Sequence, residues 1–227
     1  MSFILHIDTA TESGLICLSQ NEKLLASAKN FAAQDHARWL HPAISNMLSE
    51  SGVDIKELAA ITITSGPGSY TGLRVAMASA KGLCFALKIP LITVNTLKFI
   101  AKATIDSVDE QLVEKSLFCP LIDARRMEVF TAIYNSQLDE VLPPQALILD
   151  EQSFVAKLDL QTVIFSGNGI AKWQQLCTHD NAVFADVIPS PQSFISLTYS
   201  KFSAGEFTAP AYAEPVYLKE FYTHPKK

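Results

Sequence analysis

Two stretches far apart in the chain open the same way, and this repetition limits the fold more than any other feature. Leu5-His6-Ile7-Asp8 matches Pro120-Leu121-Ile122-Asp123, and Gly14-Leu15-Ile16-Cys17-Leu18 falls on Val129-Phe130-Thr131-Ala132-Ile133. In each case an apolar strand ends on an aspartate, turns and returns as a second apolar strand. Strands this close in sequence pair antiparallel, and a unit used twice in the same order predicts two related halves.

The stretch after each opening supports that division. A third strand is expected near Lys23 to Ala28, then a helix from about Asp35 to Ser51, where Ala37, Leu40, Ile44, Met47 and Leu48 recur at helical spacing. Pro42 lies inside it, so the helix either kinks there or becomes regular there. Ala60 to Thr64 reads as a buried strand, followed by the turn Ser65-Gly66-Pro67-Gly68-Ser69, a helix to about Leu87 and a strand from Pro90 to Val94. That order makes a crossover between parallel strands. The more polar, acidic stretch from Ala103 to Ser116 divides the halves, giving 1–105 and 106–227. The second half continues with a strand (Thr162 to Phe165), the turn Ser166-Gly167-Asn168-Gly169, a helix from about Ile170 to Cys177 and an amphipathic helix near Ser193 to Ala204. An extended tail is expected over Pro210 to Phe221. The 227 residues suffice for one full and one reduced domain. The expected fold class is α/β, two actin-like ATPase (ribonuclease H-like) half-domains, the second reduced.

Charge and cysteine usage narrow the function classes. With 18 basic and 23 acidic residues the net charge is −5, and the only adjacent basic pairs are Arg125-Arg126 and Lys226-Lys227. A chain that binds nucleic acid unaided usually shows a basic stripe, so contact with RNA is expected to pass through another protein. Cys17, Cys84, Cys119 and Cys177 are widely spaced, form no C-x-x-C and sit among or next to apolar residues, which argues for reduced, buried thiols and against zinc. Without a basic leader or an apolar run of membrane-spanning length, the expected location is the cytoplasm.

Several residues could carry chemistry, and each has a plainer reading. Asp8 stands where actin-like ATPases place an aspartate that orients a metal-bound water; the plainer and preferred reading is an Asx turn. Asp123 has the same two readings, with Arg125 and Arg126 close enough to pair with it. Gly66 and Gly68 allow a tight turn and free N–H groups over a helix start, but the lysine of a phosphate-binding loop is missing. Gly167 and Gly169 resemble a nucleotide-contacting turn or, on the plainer reading, an ordinary strand-to-helix turn. His36 and His41 are five residues apart, so their side chains diverge by roughly 140° on a helix and do not suit one metal. No G-x-S-x-G is present to build a nucleophilic serine.

Ile7-Asp8-Thr9-Ala10-Thr11-Glu12, Asp35-His36 with Leu40 and Pro42, and above all Ser65-Gly66-Pro67-Gly68-Ser69-Tyr70-Thr71-Gly72-Leu73-Arg74 resemble the bacterial TsaB (YeaZ) family. Asp123 to Val129 and Pro215-Val216-Tyr217-Leu218-Lys219 extend the resemblance over nearly the whole chain. One departure is Ala37-Arg38, where the family often has Ser-Glu. The resemblance implies a non-catalytic subunit that pairs with a TsaD-type catalytic subunit, which holds the metal and transfers a threonylcarbamoyl group to the adenosine following the anticodon. It further implies a TsaE-type ATPase as a third component, a homodimer when alone, and ATP or ADP, if bound, at the junction with the partner. The first two helices are the expected partner surface, with His36, Leu40, Ile44, Met47, Leu73, Met77 and Ala80 as the residues chosen. An ATP-dependent phosphotransferase is the main alternative, and a metallopeptidase the second.

Overall fold

Asp8 and Asp123 end the central strands of two sheets with one topology. A computed structural model describes residues 1–31 and 35–219; the end of the expected tail (220–221) and Lys226-Lys227 lie outside the described residues. The first sheet holds β1 (Phe3–Asp8), β2 (Gly14–Gln20), β3 (Lys23–Asn30), β4 (Leu58–Thr64) and β5 (Leu91–Val94) in the order β3-β2-β1-β4-β5. The second holds β6 (Ser116–Asp123), β7 (Glu128–Tyr134), β8 (Glu140–Ile148), β9 (Thr162–Ser166) and β10 (Ala182–Ala185) in the matching order. In both sheets the first three strands form an antiparallel meander and the last two run parallel to the first.

The halves differ in their crossover helices. In the first half α1 (His36–Ser51) and α2 (Tyr70–Leu87) are long, and α1 starts at His36 and continues past Pro42 without a break in the helix. Their counterparts in the second half shrink to α5 (Val155–Leu158) and α6 (Ile170–Gln174), with the short α4 (Glu110–Val113) just before β6. The helix that closes each half crosses to the other. Leu97, Ile100 and Ala101 of α3 (Thr96–Ser107) share a core with Phe118, Ile122 and Ile164 of the second sheet. Phe194 and Leu197 of α7 (Pro191–Ala204) pack with Leu15 and Val94 of the first. The two helices meet where the Phe99 and Phe194 rings stack at 4.5 Å. A boundary at 105/106 therefore falls inside α3, a helix that belongs to one half by sequence and packs on the other.

His6 secures this exchange. Its Nε2 lies 2.9 Å from Ser19 Oγ on β2, and its Nδ1 lies 2.8 Å from Thr62 Oγ1 on β4 and 3.0 Å from Thr198 Oγ1 on α7. Each ring nitrogen has a hydroxyl partner, so either neutral tautomer is satisfied. Burial pushes the imidazole down to a pKa of about 3. The four cysteines are free thiols; Cys17, Cys84 and Cys119 are buried and Cys177 is half-buried. Burial raises the Cys84 thiol to about 11 and that of Cys119 to about 12.

The residues chosen for a partner surface turn inward, which corrects that expectation. Leu40, Ile44, Met47, Met77 and Ala80 form one buried cluster with Leu5, Ile7, Ile61 and Ile63 of the first sheet. Leu73 is 1% exposed, and His36 is buried with its Nε2 3.1 Å from Thr11 O. A helix covering a sheet needs its apolar stripe for that sheet, so periodicity located the buried face and not the open one. The outer faces carry Arg38, His41 and Ser45 on α1 and Ala78, Gly82 and Phe85 on α2.

Candidate functional site

The two sheets leave a cleft of about 490 Å³ between the halves, within the range of small-molecule sites. Its walls are the β1–β2 turn (Ala10, Thr11, Glu12), the start of α2 (Gly68 to Thr71), the β6–β7 hairpin (Asp123 to Arg125) and Asn168. Every glycine turn and aspartate singled out in the sequence lies in or beside these walls. The question is whether any of them is free to act.

Asp8 is not. It is 4% exposed, and its Oδ1 accepts from Thr64 Oγ1 and from the Ala10 amide at 3.0 Å. Burial raises its pKa, against the hydrogen bonds from Thr64 and Ala10 and the nearby His36. The bond from Ala10 is an Asx turn, as the plainer reading supposes. Asp123 does reach the cleft, but its Oδ1 accepts from Lys172 Nζ at 2.8 Å and from the Arg125 amide at 2.6 Å. Partial burial disfavours the carboxylate; the bonds from Lys172 and Arg125 outweigh it and hold the pKa below the ordinary value. The cation hydrogen-bonded to Asp123 is thus Lys172, on α6, while Arg125 contributes its backbone N–H and, without a side-chain bond, its charge. Sequence reasoning missed Lys172 because it lies far along the chain, and no local signal points to it.

The glycines bring protein backbone against protein backbone. A Cβ on Gly68 would sit 2.1 Å from Ala10 O, and one on Gly72 would sit 1.9 Å from Thr9 O. The contact is closed by Ser69 N–H donating to Ala10 O (2.7 Å) and Thr9 Oγ1 donating to Gly72 O (2.7 Å). Gly66, at φ +117°, faces Val216 O at 2.5 Å from where its Cβ would stand. Gly167 and Gly169 press in the same way against Leu121 O, which accepts from the Gly169 amide at 2.9 Å. Asn168 Oδ1 accepts from the Asp123 amide at 2.9 Å, tying that turn to the end of β6.

A paired substitution tests this account of α2. Alanine is favoured over glycine in a helix interior by about 1 kcal/mol, and Gly82 has open space around its Cβ position. Gly82→Ala is therefore expected to stabilise the chain by about 1 kcal/mol. At Gly72 the same methyl meets a carbonyl oxygen that cannot retreat without breaking the turn, so Gly72→Ala is expected to lose about 3 kcal/mol. Urea midpoints that shift in opposite directions are the expected result. Equal shifts would mean that the Thr9–Gly72 contact is absent.

His36 and His41 are not brought together, since His36 is buried at the β1–β2 turn and His41 lies on the outer face of α1 with Nε2 3.0 Å from Ser79 Oγ. Among the described residues no group of three His, Cys, Asp or Glu is placed to hold a metal ion. Nor is any helix among them long and apolar enough to cross a membrane.

Comparison with known proteins agrees with this geometry. The family model for TsaD, tRNA N6-adenosine threonylcarbamoyltransferase, matches residues 29–201. The tRNA threonylcarbamoyladenosine biosynthesis protein TsaB of Bacillus subtilis (strain 168) is 30% identical over 176 residues, covering 76% of this chain and 74% of the relative. The protein of the same name from Escherichia coli (strain K12) is 28% identical over 228 residues, covering 95% and 94%. Among solved structures, YeaZ from Pseudomonas aeruginosa superposes with a TM-score of 0.77 at 27% identity, covering 96% of this chain and 100% of that one. Another Pseudomonas aeruginosa protein, described as similar to the peptidase YEAZ, gives a TM-score of 0.83 at 26% identity with the same coverage. By these matches the chain belongs to the TsaB (YeaZ) family, and its two five-stranded sheets of one topology give it the expected α/β fold of two related halves.

Proposed function

We propose that this chain works in the biosynthesis of threonylcarbamoyladenosine in tRNA as the non-catalytic partner of a TsaD-type subunit. The observation that carries this reading is the condition of its two strand-end aspartates. One is buried and bonded within its own half, and the other is neutralised by Lys172. A carboxylate that positions a metal-bound water works ionised and open to the phosphates, whereas Asp8 is buried with its pKa raised and Asp123 is already paired with a lysine. ATP or ADP is accordingly expected at the junction with the TsaD-type subunit, and a TsaE-type ATPase is expected to act there. With a net charge of −5, tRNA reaches the assembly through the partner.

The partner surface is the outer side of α1 and α2. Phe85 is 87% exposed, beside the small residues Ala78, Gly82 and Ala86, which let another helix approach closely. Aromatic side chains of this kind commonly anchor interfaces. Light scattering on a sizing column is expected to give a peak of heterodimer mass when the chain is mixed with the TsaD-type subunit, and a homodimer without it. Phe85→Glu is expected to weaken the heterodimer at least about tenfold with an unchanged unfolding midpoint. Separate elution of the two subunits, even with the TsaE-type protein and ATP present, would defeat the reading. Magnesium-dependent ATP turnover by the pure chain would then favour the phosphotransferase.

A further inference from the structure

The C-terminal segment, residues 208–219, touches both halves in turn. Thr208 N–H donates to Leu91 O (2.8 Å) on β5. The turn Pro210–Tyr212 then runs against α2, where Lys81 Nζ donates to Ala213 O (3.0 Å) and Ala211 O (3.4 Å) and Ala213 enters the first-half core. Val216 N–H donates to Ser65 O (2.7 Å) over the Gly66 turn. Arg74 Nε donates to Tyr217 OH (3.2 Å), and the Tyr217 ring lies 5.5 Å from that of Tyr70. One residue later the chain changes halves. Leu218 joins the cluster that contains Ile122 and Phe130, and Lys219 pairs with Glu128 Oε2 on β7. Tyr70, Ile122 and Phe130 all line the cleft, so the segment spans from one wall to the other.

We propose that residues 208–219 form a clasp that sets the opening of the cleft, and that releasing Leu218 and Lys219 opens the cleft without unfolding either half. The two ends of the segment are unequally held. On the first half it has backbone hydrogen bonds on both sides of a buried alanine. On the second it has one partly buried leucine and one ion pair whose lysine is 54% exposed, a contact that solvent screens strongly. Regions with few buried contacts open first. The other connection between halves, α3 with α7, is embedded in both cores and remains as the hinge. Release therefore separates the β6–β7 hairpin from the start of α2 while both sheets keep their cores. The proposal concerns the isolated chain and does not depend on the partner reading.

Hydrogen exchange read by mass spectrometry on the full chain tests it. Leu218→Ala and Lys219→Glu, singly and together, are expected to speed exchange of peptides covering 66–72 and 122–130, about tenfold in the double variant. Peptides from the buried face of α1 should keep their rates. Adding Glu128→Lys to Lys219→Glu restores an ion pair of reversed sense and is expected to return the rates toward those of the unaltered chain. Unchanged exchange at 66–72 and 122–130 would overturn the clasp, as would acceleration spread evenly through both cores.

Discussion

Replacing Met77 with glutamate is expected to unfold the N-terminal half. The side chain is 4% exposed and packs in the cluster that includes Leu5, Ile7, Ile61 and Ile63. Removing a buried methionine forfeits about 2 kcal/mol of apolar burial, and an unpaired carboxylate in its place costs a further 3 kcal/mol or so even after its pKa rises. The sum of about 5 kcal/mol is comparable to the whole stability of a typical domain. Met47→Glu, in the same cluster, is expected to behave alike. Ala78→Glu, one residue along α2 and exposed, should change stability by less than about 0.5 kcal/mol. Urea unfolding followed by circular dichroism checks all three. A native midpoint for Met77→Glu would mean that this stripe of α2 faces outward.

That pair of methionines shows where sequence reading reaches its limit. The recurrence of Leu40, Ile44 and Met47 correctly gives a helix with one apolar face, and the repeated strand, aspartate and hairpin correctly give two related sheets. Neither pattern says whether the apolar face meets its own sheet or another protein, because the same burial drives both. The sheet has first claim when the helix is a crossover, and a crossover is what the Gly66–Gly68 turn and the flanking strands already implied.

Other elements were hidden for different reasons. Only the end of helix α3 lies in the stretch that reads as a polar boundary, Ala103 to Ser116, and no element is expected over its start, yet Leu97, Phe99, Ile100, Ala101 and Ala103 are all buried. The acidic residues Asp106, Asp109 and Glu110 at and beyond its end set the boundary, and the apolar turns of α3 lie just before them. Strand β8 contains Pro143 and Pro144, which normally exclude a strand. It is an edge strand, where a missing N–H need not leave a neighbour unpaired. The glycines were visible, but their role was not: nothing local to Gly66 announces that Val216 will lie against it, and nothing local to Asp123 announces Lys172. Close approaches between segments so distant in sequence are set by the fold as a whole.

Acid is expected to remove about 5 kcal/mol of stability through His6 alone. Burial holds this imidazole at a pKa of about 3 in the folded chain, against 6.5 when exposed. Above pH 6.5 it is neutral in both states and its hydrogen bonds to Ser19 and Thr62 contribute in full. As the pH falls through 6.5 the unfolded chain gains a proton that the folded chain refuses, so stability declines by about 1.4 kcal/mol per pH unit until about pH 3. Asp8 acts with the opposite sign. Its pKa is raised in the folded state, so the folded chain takes up that proton first and regains some stability on the way down. Asp8→Asn keeps an oxygen to accept from Thr64 and Ala10, removes this compensation, and should make the acid loss steeper. His6→Gln should be weaker than the unaltered chain at pH 7.5 by about 2 kcal/mol, from lost packing and hydrogen bonding, but flatter below pH 6. The stability difference between the two chains, measured by urea unfolding from pH 7.5 to 4.5, cancels the other titrating groups. It is expected to shrink and then reverse. A constant difference would mean that the folded chain takes up the His6 proton as readily as the unfolded one, and that burial of the ring between β1 and α7 does not hold it neutral.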